Sequence, residues 1–206
     1  MKNKILLLFF LAVFTGLQAQ DIFNDCPREG SATSERLKNL NFRKNRFVLP
    51  TANDIDSGIT MEALVKKGND EDRFDESKAA VIEGYIFDIT SGGSESCNCK
   101  SKEEDYKDVH VVLVIKKTYK SKRHRVIAEI TPRLRERVFE KLEIETSNKE
   151  LRKLLLGKKV RITGWLLFDD EHKDDAYNTD PSGTNNWRAT CWEIHPITDI
   201  EIIEDN

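Results

Sequence analysis

"DVHVVLVIKKTYKSKRHRVIAEITPR", residues 108–133, reads as two β-strands joined by a basic turn. Val109, Val111, Leu113 and Ile115 alternate along the first strand, and Val126, Ala128 and Ile130 along the second. Successive side chains of a strand point to opposite faces, so these seven form one apolar face. A hairpin centred near Lys120 and Ser121 sets the register. It places His110 opposite Thr131, Val112 opposite Glu129, and Asp108 opposite Arg133. The second face then carries Asp108, His110, Glu129, Thr131 and Arg133, gathered toward one end.

The neighbouring segments complete a pattern. "AVIEGYIFDIT" (80–90) reads as an earlier strand, bent at Gly84. A long loop with Gly92-Gly93 and Cys97-Asn98-Cys99 separates it from the hairpin. Pro132 closes the third strand and opens a helix over "RLRERVFEKLEI". Ser147 and Glu150 have capping-box spacing before Leu151, Leu154 and Leu155, and Gly157 ends that helix. "KKVRITGWLLF" (158–168) is a fourth strand. "DDEHKDDAYNTDPSGTNN" (169–186) is a second long polar loop, and "WRATCWEIHPITDIEII" (187–203) is a last strand, bent or interrupted at Pro196. Strand-strand-strand-helix-strand-strand is the order of the OB-fold, a five-stranded barrel. The predicted fold is therefore mainly β, an OB-fold-like barrel over 79–206. An open α+β sheet with the same order is the rival.

Residues 20–78 read as an N-terminal extension. Thr33 or Ser34 caps one short helix, Thr60 caps another from Met61 to Lys67, and "NDEDRFDES" (69–77) reads as a solvated acidic linker. The first 19 residues read as a secretory signal peptide: Lys2 and Lys4, an apolar run from Ile5 to Phe14, then small residues up to Ala19. That run is too short to span a bilayer, which takes about 20 apolar residues. The expected location is exported, periplasmic or extracellular, with no membrane span. Without the leader the chain has 31 basic and 36 acidic side chains, a poor match to nonspecific duplex binding.

All four cysteines, Cys26, Cys97, Cys99 and Cys191, lie in the exported part, where disulfides are the expected chemistry. Cys97–Cys191 would tie the first loop to the last strand, and Cys26–Cys99 would tie the extension to the barrel. Sequence does not choose among the pairings.

OB-folds bind ligands on the face of their second and third strands, between the loops after strands one and four. Here that face and its walls offer Asp108, His110, Glu129, Arg133, His172, Asn178, Arg188 and His195 as ligand-binding candidates. Three functions compete. The first is a binding domain for a small anionic or polymeric ligand (a nucleotide, oligonucleotide or glycan), with Arg133 supplying a planar donor fork. The second is a metal-dependent hydrolase acting on phosphodiesters. There Asp108, His110 and His172 hold the ion, with Cys99 a further candidate if it is zinc, and Glu129 is the general base. The third is a structural or interaction module. Lys116 to Arg125 adds six cations without an acid, a grip for phosphate or a solvated hairpin tip. Trp165 and Trp192 are expected to pack, and Trp187 to be more exposed.

The motifs "IEGYI" (82–86), "ESCNC" (95–99), "DVH" (108–110), "AEITPR" (128–133), "VRITGWLLFDDEH" (160–172), Asn178-Thr179 and "NWRATCWEIHPIT" (186–198) resemble a group of exported bacterial proteins with an OB-fold-like domain and no assigned activity. The resemblance implies fold and compartment only. Staphylococcal-type nucleases also use an OB-like barrel, but their acid–arginine pattern is not recognisable here.

Overall fold

A computed structural model describes residues 22–145 and 147–204; the expected signal peptide, residues 1–19, lies outside the described residues. Five strands build the barrel: β3 (Ala79–Ser91), β4 (Val109–Val114), β5 (Val126–Ile130), β6 (Lys159–Phe168) and β7 (Trp192–Ile203). Two short strands, β1 (Ile22–Phe23) and β2 (Cys26–Pro27), form a separate ribbon before it. The barrel order is β3-β4-β5-β7-β6, closed by β3 against β6. All neighbours are antiparallel except β5 and β7. The fold is mainly β, a closed OB-fold-like barrel, and the open sheet is excluded.

The alternation along β4 and β5 explains the closure. Val109, Val111, Leu113, Val126, Ala128 and Ile130 all point into the core. On β3, Ile82, Ile86 and Ile89 do the same, although an even-to-odd change breaks strict alternation. A bulge between Ile86 and Asp88 absorbs the extra residue and restores the inward face. β7 runs through Pro196 without interruption, after a cis His195–Pro196 bond.

The hairpin register differs from the expected one. His110 pairs with Glu129, and Val109 with Ile130. The connection is not a tight turn at Lys120–Ser121: β4 ends at Val114, and a 3-10 turn over Lys122–His124 takes up the chain before β5. The slip is two residues in β5, so every side chain keeps its face.

The extension is part of the same body. Helix α1 (Glu35–Lys44) is capped by Ser34, whose hydroxyl accepts from the Leu37 amide, and α2 (Met61–Val65) is capped by Thr60. Ile59, Met61 and Leu64 enter the barrel core. The acidic linker is not fully solvated. Asp70 is buried, and its carboxylate accepts from the Cys191 amide at 2.9 Å and from Asn178 at 3.0 Å, while its carbonyl accepts from Trp192 Nε1 at 2.8 Å. Helices α3 (Pro132–Lys141) and α4 (Asn148–Leu155) link β5 to β6. Thr131 caps α3; Ser147 precedes α4 but makes no side-chain cap, so the capping box does not form. No helix among the described residues is long and apolar enough to cross a membrane.

Candidate functional site

The polar face of β4 and β5 collects ionisable groups as its alternation requires, yet it is a covered face. Two segments close over it. The loop after β3 carries a 3-10 turn, Ser96–Asn98, and α1 packs on that turn. Asn41 donates to Ser96 Oγ at 3.0 Å and Asn45 to the Cys97 carbonyl at 2.8 Å. A disulfide between Cys26 and Cys99 fastens the same loop to the β1–β2 ribbon. The Cys97–Cys191 bond that the sequence also allowed is absent: both are buried free thiols. Cys191 sits instead beside Thr179 and the His172 carbonyl.

His110 Nε2 lies 3.2 Å from Glu129 Oε1, its cross-strand partner, and 3.9 Å from Glu95. His195 on β7 places Nδ1 3.2 Å from Glu193 and 3.4 Å from Glu129 Oε2. Arg188 pairs with Glu193 at 2.6 Å, both fully buried. Asp108, just before β4, accepts from Asn98 at 2.7 Å and faces Cys97 Sγ at 3.5 Å. Lys44 of α1 reaches in from above, 2.7 Å from Asp169 and 3.0 Å from Glu95.

The face thus brings together five carboxylates (Glu95, Asp108, Glu129, Asp169, Glu193) and two fixed cations (Lys44, Arg188). The excess is negative, and burial makes it costly. Burial, with Glu193 nearby, raises Glu129 well above the usual carboxylate range, and burial also raises Asp108. Burial would raise Glu193 too, but Arg188 and His195 hold it well below. Burial lowers His110, toward the neutral ring. Against its own desolvation, Lys44 is raised well above normal by Asp169 and Glu95. The raised Glu129 and Asp108 take up protons more readily than ordinary carboxylates, which works against the surplus charge.

Four of the expected site residues, Asp108, His110, Glu129 and His195, converge here, joined by Arg188 through Glu193. Arg133 does not line this face as a free fork; it donates to the Cys26 carbonyl at 2.7 Å, beside a pocket of about 220 Å³ that Phe23 and Tyr106 also line. Asn178 is turned to Asp70 and the Lys66 carbonyl. His172 binds Asp175 at 2.8 Å and borders a pocket of about 390 Å³ with Lys44, Glu95, Glu171 and Lys100. That pocket is the solvent side of the cluster. Cys99 is lost as a metal ligand because its sulfur is in the disulfide. Among the described residues, one close set of three possible metal ligands is Asp108, Glu129 and His195; another is Glu95, Cys97 and Asp108; a third is Asp169, His172 and Glu193. Trp192 is buried, Trp165 half-buried with its Nε1 on the Val48 carbonyl, and Trp187 half-buried edge-on to His172.

Sequence reasoning missed Lys44, Glu95 and Asp169. For Lys44 a signal exists: it lies four residues after Leu40, on the buried stripe of α1. Glu95 and Asp169 sit in or beside polar loops whose closure no periodicity reveals. No family model matches the chain, and no curated protein is significantly similar to it.

Proposed function

We propose that the protein is an exported OB-fold-like binding domain whose polar β4–β5–β7 face takes a small cationic ligand, entering by the pocket under α1. One observation carries this. Asp108, Glu129, Arg188, Glu193 and His195 are at most 3% exposed, yet Glu129 Oε2 and His195 Nε2 make no hydrogen bond. Buried polar groups that serve packing alone are normally satisfied, and shifted, unsatisfied ones mark sites. The surplus of carboxylates favours a cation over the anion expected from the residue types alone. Binding measured on the full chain tests this. Among polyamines, divalent cations, nucleotides and acidic glycans, the cations should raise the melting temperature, and Glu129→Gln should weaken that effect. Nucleotide or glycan binding lost in Glu129→Gln and His110→Ala would overturn the sign of the ligand.

A second reading, binding of an anionic polymer, is favoured at a different place. The β4–β5 connection exposes Lys116, Lys120, Lys122 and Arg123. Arg123 lies 3.9 Å over the Tyr177 ring and Arg125 4.4 Å over Phe87. The whole chain outside residues 116–125 has 27 basic and 36 acidic side chains, so positive charge is concentrated there. Lys120→Glu with Arg123→Glu should abolish salt-sensitive retention on an anionic polysaccharide; unchanged retention would remove this reading.

A further inference from the structure

We infer that Asp108, Glu129 and His195 form a binding site for one divalent first-row transition-metal ion. This rests on the cationic-ligand reading and names the cation. The three come from separate, rigid positions: Asp108 at the entry to β4, Glu129 on β5 and His195 on β7. One ligand atom from each lies within 4.8 Å of the others. All three are at most 3% exposed, so they approach one another in spite of the cost of burying two carboxylates side by side.

The histidine supplies the independent observation. His195 is fully buried. Its Nδ1 is aligned for a hydrogen bond to Glu193 Oε2 at 3.2 Å, and Glu193 is itself held by Arg188. Glu193 therefore fixes the tautomer with the proton on Nδ1. That leaves Nε2 with a lone pair, buried and without any partner. A carboxylate that orients one ring nitrogen while the other stays open is the outer shell of a metal-ligating histidine. Glu129 shows the same division. Its Oε1 faces His110 at 3.2 Å, and its Oε2 lies 3.4 Å from the His195 Nδ1 position yet accepts no hydrogen bond. Asp108 is steadied by Asn98.

The donor set chooses the metal class. Two carboxylates and an imidazole suit manganese through zinc, whereas magnesium and calcium prefer oxygen alone. The Cys97 thiol belongs to the adjacent group with Glu95 and Asp108, and is not required. Arg188, Glu193 and His110 act as positioning residues.

The experiment uses the full exported chain, untagged and stripped with a chelator, titrated with Zn²⁺ and, for its visible spectrum, Co²⁺. One ion per chain should bind. Glu129→Gln and Asp108→Asn keep shape and remove a ligand; each should lower affinity at least 100-fold. Glu193→Gln should lower it about 10- to 100-fold through the outer shell. His124→Ala, in the turn between β4 and β5, should leave it unchanged. Zn²⁺ should also shift the His195 ring resonances in the wild-type protein, which does not depend on any variant folding. Absence of metal binding, unmoved His195 resonances, or a Co²⁺–sulfur charge-transfer band lost in Cys97→Ser would overturn the assignment. If the metals fail but a polyamine still binds, the metal site falls and the cationic-ligand reading stands; if no cation binds, both fall.

Discussion

Lys44 shows how one side chain decides the state of the polar face. Its ammonium neutralises Asp169 and Glu95 inside the fold, at the end of an otherwise ordinary short helix. Lys44→Met would leave two carboxylates without their counter-charge. Removing one partner of a buried pair costs about 3–5 kcal/mol, and urea unfolding should show a loss of that size. Its pKa is raised in the folded state, so the stabilisation is complete below the ordinary lysine value of 10.5 and fades only as pH rises through the folded value. The gap between wild type and Lys44→Met should therefore persist at neutral pH and close only in strong alkali. The free thiols give a second check. Burial pushes Cys191 up from 9.0 to about 11, and burial beside Asp108 raises Cys97 well above 9.0. Both should resist a thiol reagent at pH 8 in the native protein. Two thiols per chain should react after denaturation without reductant; four would refute the Cys26–Cys99 bond. Because the unfolded Cys191 thiol ionises first, its contribution to stability should decline between pH 9 and about 11.

Elements are joined at two tight places. The disulfide closes a separation of 73 residues between the β1–β2 ribbon and the loop over the site. The chain-entropy estimate for a loop of that length is about 4 kcal/mol. Cys26→Ser with Cys99→Ser should lose an amount of that order, read as a lower denaturant midpoint. It should also raise hydrogen exchange in the Ser96–Asn98 turn before the barrel strands. The second place is the close approach of β6 and β7 at Gly164. A Cβ there would overlap the Pro196 carbonyl oxygen and the Ile194 side chain, in the stretch where the β6–β7 register shifts. Neither neighbour can yield: one is backbone, the other core. Gly164→Ala should cost about 1–3 kcal/mol, as overpacking does, with the melting temperature as its measure.

For the whole molecule, the extension and the barrel are one folding unit. Ile59, Met61 and Leu64 lie before the first barrel strand and are fully or almost fully buried in its core. Burying three such side chains is worth roughly 5–9 kcal/mol. That is comparable with the total stability of a domain, about 5–15 kcal/mol. A fragment from residue 79 onward should therefore fail to give a cooperative thermal transition, whereas the chain without only residues 1–19 should melt cooperatively. A stable, cooperative 79–206 fragment would show the extension to be an accessory.

The barrel followed from local rules. Alternation in residues 108–133, proline and glycine punctuation, and a single helical interval between the third and fourth strands specify element order and the inward face without long-range information. Asp108, His110 and Glu129 were recognisable as one group because strand parity places them, and a two-residue slip of the hairpin preserves parity; His195 joined them through the expected pairing of the third and last strands. Tertiary structure alone decided the rest. Arg133, Asn178 and His172 are loop or helix-start residues, and their directions depend on how the chain closes, not on any period. Asp70 looked solvated because its neighbours are charged, and became a buried anchor for the Cys191 amide only when the extension wrapped the barrel. The choice of Cys26–Cys99, and the covering of the ligand face by α1, rest on contacts between segments 50 or more residues apart. Periodicity reports a residue's own strand or helix; the charge balance of a buried cluster depends on every chain segment that reaches it.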